Sequence, residues 1–172
     1  MLFRSRAGKS LRHGAEIRIP PGLESVDYEA ELAVVLGRRT HRASPAEVSA
    51  HVLGYLCAND VTSRVLQRKD GQWTRAKGFD TFCPLGPWVE TDIDPLDVRI
   101  QSLVNGEVRQ DARTSDMIFN PFELVSFVSH VMTLLPGDVV LTGTPAGIGA
   151  VVAGDVVEVR IEGIGSLINR VV

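Results

Sequence analysis

From Tyr28 to Leu36 the chain alternates with a period of two: Glu29, Glu31, Ala33 and Val35 fall on one side, Ala30, Leu32, Val34 and Leu36 on the other. That period predicts a β-strand with two carboxylates on one face, since successive strand side chains point to opposite faces. Ser44-Pro45-Ala46-Glu47 combines a capping box with proline at the first helical position and predicts a helix that ends by Gly54. Asn120-Pro121-Phe122-Glu123 repeats the start signal. Leu124, Phe127, Val128, Val131 and Leu135 supply the stripe that this second helix is expected to bury. Most of the remainder reads as β. Val98 to Val104, Asn105-Gly106 and Glu107 to Gln110 predict a hairpin with a type I′ turn, because Asn-Gly accepts positive φ at both central positions. Pro136-Gly137-Asp138 and Ala153-Gly154-Asp155 read as turns feeding Val139 to Thr142 and Val156 to Ile161. Helices are too few to cross over between parallel strands. The expected fold is therefore a β-rich α+β domain whose strands form a rolled or barrel-like mixed sheet with a few flanking helices.

Gly and Pro punctuate all 172 residues without a linker or repeat, so residues 1–172 read as one domain. With 44% apolar residues the chain can build a real core; at this size ~70% of the unfolded surface is buried on folding. The net charge is −3 and no basic run is long enough to track a phosphate backbone, which argues against nucleic acid as a partner. The longest apolar run, Leu32 to Leu36, falls far short of the ~20 residues of a membrane-spanning helix, so no membrane is expected either. The N-terminus carries positive charge without an apolar h-region, and Cys57 and Cys83 are isolated. A reducing cytoplasm is the expected location. Fifteen arginines carry the positive charge, against only Lys9, Lys69 and Lys77, so a lysine retained here is a candidate for a role arginine cannot fill.

Gly8-Lys9-Ser10 looks like the end of a phosphate loop, but Phe3 stands where that motif needs its first glycine. The run Thr142-Gly143-Thr144-Pro145-Ala146-Gly147-Ile148-Gly149 follows a strand and opens no helix. It is either a plain loop or a set of backbone N–H groups and a threonine hydroxyl arranged around an anion. Glu29 and Glu31 point the same way on a strand, whereas on a helix they would diverge by ~200°. A solvated face is the common fate of such a pair. Here Ala33 and Val35 continue the face as apolar, so the carboxylates need a partner. A hard divalent cation, Mg²⁺ or Mn²⁺, is the economical one, with Asp60 at the end of the apolar segment Gly54 to Asp60 as third oxygen ligand. His13, His41, His51 and His130 lack paired spacing and offer no zinc set. Lys77 has the chemistry to stabilise an enolate or carbonyl oxygen as a compact charge.

Asp27 to Gly37, Asn59-Asp60-Val61-Thr62-Ser63-Arg64 with Gln67, Gln72 to Lys77, Val104-Asn105-Gly106-Glu107, and Gly137-Asp138 with Thr142 to Gly147 follow one another in an order that resembles the C-terminal catalytic domain of the fumarylacetoacetate hydrolase family. That family includes acylpyruvate hydrolases, homoprotocatechuate-pathway isomerases and decarboxylases, and 2-oxo acid decarboxylases and tautomerases. The resemblance implies a β-roll core, a homodimer, and Glu29, Glu31 and Asp60 as ligands of Mg²⁺ or Mn²⁺, with Ca²⁺ as a substitute in crystals. It further implies that Lys77 and Gln67 contact the substrate's oxygens, and that Thr144, with Arg64 and Gly143 beside it, holds a 2-oxo or β-diketo acid. Relatives usually carry a further N-terminal stretch with a His and Glu pair on a mobile lid helix, and this chain starts after that point. Ser5 and Val65 also stand where relatives often have Lys or Arg and Asp. Tautomerisation or decarboxylation would need only the metal and Lys77, whereas hydrolysis also needs an activated water. The expected function is a metal-dependent enzyme of this kind; the alternatives are a catalytically silent domain that binds metal and 2-oxo acid, or a purely structural partner domain.

Overall fold

The computed structural model describes residues 2–3, 10–23 and 25–172; Ser5, Gly8 and Lys9 lie outside them. Along the chain run β1 (Leu2–Phe3), β2 (Ser10–Arg12), β3 (Glu16–Ile17), β4 (Val26–Tyr28), β5 (Ala30–Leu36), α1 (Pro45–Val48), β6 (Val52–Asn59), α2 (Arg64–Asp70), α3 (Thr74–Lys77), β7 (Cys83–Glu90), β8 (Arg99–Val104), β9 (Glu107–Arg113), α4 (Pro121–Val131), β10 (Val139–Leu141), β11 (Gly149–Val151), β12 (Val156–Ile161) and β13 (Gly165–Val171). The strands form a six-stranded sheet in the order β1-β10-β5-β6-β7-β2, a five-stranded sheet in the order β3-β13-β12-β8-β9, and the pair β11-β4. Pairing is antiparallel except between β2 and β7 and between β3 and β13. The fold is thus the expected strand-rich mixed α+β type with few helices, but its sheets remain separate and close no barrel among the described residues.

β5 explains its own sequence. Every residue of it is buried, because both faces are covered. Ala30, Leu32, Val34 and Leu36 meet Val159, Ile161 and Leu167 of the five-stranded sheet in the main core, while Ala33 and Val35 pack with Leu56, Ala58 and Leu141 on the opposite face. The single strand expected from Tyr28 to Leu36 is in fact two. β4 pairs with β11, β5 pairs with β10 and β6, and the chain changes sheets at Glu29.

The hairpin forms as expected, with Asn105 at φ 52° and Gly106 at φ 83°. The strand over Val156–Ile161 also forms as read, and Ser44 with Glu47 starts α1, the Glu47 carboxylate accepting from the Ser44 N–H at 2.8 Å. The face of α4 matches the expectation only in part: Val128 packs on the main core and Leu124 is half-buried. Val125, Ser126 and Ser129 are buried, whereas Phe127 and Val131 are 71% and 66% exposed and Leu135 is also exposed. Two serines decide the orientation: the Ser126 hydroxyl donates to the Ala43 carbonyl at 2.7 Å, and the Ser129 hydroxyl accepts from the Ala43 N–H at 3.0 Å. Satisfying that buried peptide outweighs the gain from turning a more apolar stripe inward. α2 and α3 lack a readable stripe; α2 starts after Ser63 and ends at Gly71, whose φ of 65° suits a left-handed terminator.

No helix among the described residues is long and apolar enough to cross a membrane, and both cysteines are buried. Gly54 shows how tightly β6 and β7 pack: a β-carbon there would strike the Glu90 carbonyl oxygen and lie 2.7 Å from Val89 Cγ1. Gly54→Ala is expected to lower stability by about 1–3 kcal/mol through overpacking, read from the midpoint of a urea unfolding curve.

Candidate functional site

Sheet register assembles the acidic cluster. Glu31 pairs with Ala58 across β5 and β6, so residues two places on in each strand, Glu29 and Asp60, continue the same face. The Asp60 N–H donates to the Glu29 carbonyl at 2.9 Å and carries the pairing past both strand ends. Glu29, Glu31 and Asp60 are 5%, 3% and 1% exposed, and each offers a carboxylate oxygen within 4.8 Å of the others. The Asn59 Oδ1 holds Glu29 in place by accepting its N–H at 2.9 Å.

Two helices supply the cations. The Ser63 N–H donates to the Ala76 carbonyl at 2.8 Å and so joins α3 to the start of α2. Lys77 ends α3 inside the protein, where its Nζ donates to Glu29 Oε2 at 2.7 Å and Asp60 Oδ2 at 2.6 Å. Burial works against its charge, but Asp60 and Glu29 outweigh burial and hold its pKa above the ordinary lysine range. Arg64, first in α2, donates Nε to Asp27 Oδ2 at 2.9 Å, one terminal nitrogen to Glu29 Oε1 at 2.6 Å and the other to Gln67 Oε1 at 2.5 Å.

Glu31 faces the glycine-rich loop. Its Oε2 accepts the Gly143 N–H at 2.7 Å. Burial, followed by the charge of Asp60, pushes its pKa up to about 8. Four carboxylates, those of Asp27, Glu29, Glu31 and Asp60, thus lie in one network with two cationic side chains. An all-carboxylate oxygen set with surplus negative charge suits a hard divalent cation in place of a soft one.

The loop of residues 142–149 leads from β10 into β11 without a helix, as expected. Thr144 does not touch the acidic cluster; its Oγ1 accepts from Gln110 Nε2 at 2.8 Å. The Tyr28 hydroxyl donates to the Gly147 carbonyl at 2.8 Å. Gly143, Thr144 and Pro145 also wall a largely apolar cleft of about 350 Å³ with Ile100, Ala112 and Phe119. That cleft adjoins the loop but does not include the acidic residues. The histidines stay apart from the site: His13, His51, His41 and His130 contact the Ile168 N–H, Thr40, Thr133 and the Ser126 carbonyl respectively.

The structure therefore brings Glu29, Glu31, Asp60, Lys77, Arg64, Gln67 and Gly143 into one network, with Thr144 at its edge. Sequence reasoning places Asp27 and Asn59 in its motifs but gives them no role in the site, and it does not single out Gln110. Asp27 was within reach of it, since the period of two extends one step before Glu29.

Comparisons with known proteins follow the same lines. A family model described as the C-terminal part of fumarylacetoacetate hydrolase matches residues 1–172. An uncharacterized protein of Methanocaldococcus jannaschii is 56% identical over 146 residues, which are 85% of this chain and 62% of that protein. A mitochondrial oxaloacetate tautomerase of Bos taurus is 44% identical over 168 residues, which are 91% of this chain and 54% of that protein. The crystal structure of a 5-carboxymethyl-2-hydroxymuconate delta-isomerase from Mycobacterium smegmatis superposes with a TM-score of 0.96 at 49% identity, covering 99% of this chain and 68% of that one. The chain thus spans less than two thirds of the archaeal and bovine proteins.

Removing the central cation tests the cluster. Lys77→Met is expected to cost about 3–5 kcal/mol, because Glu29 and Asp60 then stay buried without the ammonium between them, with Arg64 left as the cation on Glu29. Adding Glu29→Gln to that variant is expected to recover part of the loss in urea unfolding.

Proposed function

The chain belongs to the fumarylacetoacetate hydrolase family, and on that premise we propose that it is a divalent-metal-dependent enzyme acting on a 2-oxo or β-diketo acid. The observation that carries this reading is the buried Glu29, Glu31 and Asp60 cluster with the Lys77 ammonium between two of its members. These three carboxylates would hold Mg²⁺ or Mn²⁺, which supplies Lewis-acid polarisation of the oxygens of a bound 2-oxo acid.

The chain's own groups do the rest. Lys77 has three N–H hydrogens and uses two on Glu29 and Asp60, so one remains to donate to an enolate oxygen. Its pKa, held high by those carboxylates, keeps it an ammonium. Arg64 and Gln67 present a polar, hydrogen-bonded edge to the same cluster, and Thr144 in the loop would bind the substrate carboxylate. Decarboxylation and keto-enol tautomerisation share the enolate that this arrangement favours. Hydrolysis needs in addition a base for water, and none of the groups above is assigned that role. The bovine tautomerase and the mycobacterial isomerase among the relatives support tautomerisation.

A homodimer in a reducing compartment such as the cytoplasm completes the proposal. In support, α4 presents Phe127 and Val131 as an exposed apolar face, and the chain has only two cysteines, with no disulfide framework in its spacing.

Two measurements test the reading. Glu29→Gln is expected to weaken Mn²⁺ binding in calorimetry at least tenfold; unchanged affinity would remove the metal site. A panel of oxaloacetate, acylpyruvates and unsaturated 2-hydroxy dioates is expected to show turnover that needs Mn²⁺ or Mg²⁺. Binding of these acids without any turnover would favour a catalytically silent domain.

A further inference from the structure

We propose that Gln110 is a positioning residue that makes the Thr144 hydroxyl an outward hydrogen-bond donor, and thereby selects a carboxylate over an amide at the glycine-rich loop. This rests on the 2-oxo acid reading above.

A β-bulge aims Gln110. Ser102 pairs with Gln110 but Leu103 pairs with Val108, so Arg109 is an extra residue in β9. Gln110 is consequently turned inward and 1% exposed, between exposed Arg109 and exposed Asp111. Its amide has only one permissible orientation. The Ala30 N–H can only donate, and it lies 3.1 Å from Gln110 Oε1; the Pro145 carbonyl can only accept, and it lies 2.8 Å from Nε2. Exchanging the amide oxygen and nitrogen would set donor against donor and acceptor against acceptor.

The consequence reaches Thr144. One Nε2 hydrogen serves Pro145, so the other points at Thr144 Oγ1, 2.8 Å away, and the hydroxyl must accept it. A hydroxyl that accepts inward keeps its single hydrogen to donate elsewhere. Thr144 is half-buried and walls the open cleft with Gly143 and Pro145. The Gly143 N–H is already given to Glu31, so the Thr144 hydroxyl hydrogen is a side-chain donor that this part of the loop keeps for a ligand. The loop is clamped around that arrangement: a β-carbon on Gly147, whose φ is +99°, would strike the Arg109 carbonyl, and Tyr28 holds the Gly147 carbonyl. A fixed donor binds an acceptor oxygen well, whereas an N–H group meets only the hydroxyl's second lone pair and leaves the O–H unmatched.

The test compares pyruvate with pyruvamide, whose amide offers N–H donors where the acid offers only acceptor oxygens, by calorimetry on the Mn²⁺-loaded protein. The wild-type chain is expected to prefer pyruvate. Gln110→Glu replaces the inward donor by an acceptor, so the Thr144 hydrogen turns inward and the preference for pyruvate falls about tenfold or more. In a Thr144→Val background the same substitution is expected to leave the preference unchanged. Should Gln110→Glu not fold, Gln110→Met, which removes the donor without adding an acceptor, is expected to reduce the preference in the same Thr144-dependent way. Equal weakening of both ligands, or a shift that persists without the Thr144 hydroxyl, would overturn the positioning role alone. Absence of pyruvate binding to the wild-type protein with Mn²⁺ would overturn the 2-oxo acid reading and this inference with it.

Discussion

The ammonium of Lys77 between Glu29 and Asp60 is the contact on which the arrangement of the site depends. Carboxylates almost out of reach of water are costly unless cations and hydrogen bonds compensate them. α3 delivers one cation from below the cluster and α2 delivers Arg64 from its rim, and the Ser63 to Ala76 hydrogen bond makes the two helices one support. Asp27 in turn holds Arg64 by its Nε, leaving its terminal nitrogens for Glu29 and Gln67. The charges therefore hold one another at fixed distances, and the sheet fixes where that set of charges stands.

The proposed metal and Lys77 would use the same carboxylates. Glu29 Oε2 and Asp60 Oδ2 already accept from the ammonium, so a divalent cation drawn to the cluster would share ligands with an existing ion pair. Such sharing would have a chemical use, since a cation held by these carboxylates would weaken their hold on Lys77 and leave its hydrogens freer to donate to a substrate oxygen.

Legibility in the sequence followed the range of the interaction that decided each feature. Glu29 and Glu31 emerged from a local period of two, Asp60 from the end of an apolar segment, and Lys77 from a composition bias, because each signal sits within a few residues. The hairpin was readable for the same reason: Asn105-Gly106 specifies its own turn. The division into three sheets was not, since strand pairing across the chain leaves no local trace. The face of α4 was legible only in part, since Val128 packs on the core while two serines that serve the peptide of Ala43 turn Phe127 and Val131 outward. Gln110 was unreadable because its inward aim comes from a bulge whose register depends on pairing with β8.

Several of the site's bonds join points far apart in the chain: 112 residues separate Glu31 from Gly143, 119 separate Tyr28 from Gly147, and 80 separate Ala30 from Gln110. Closing such long loops costs chain entropy before any contact returns it, and folds rich in them form slowly. During synthesis the carboxylate strand leaves the ribosome well before β9 and the loop that complete its surroundings. For that interval the nascent chain carries its acidic strand without the Gly143 N–H on Glu31 and the Gln110 side chain on Ala30, so the chemistry of the finished site is also a burden on the chain's early folding.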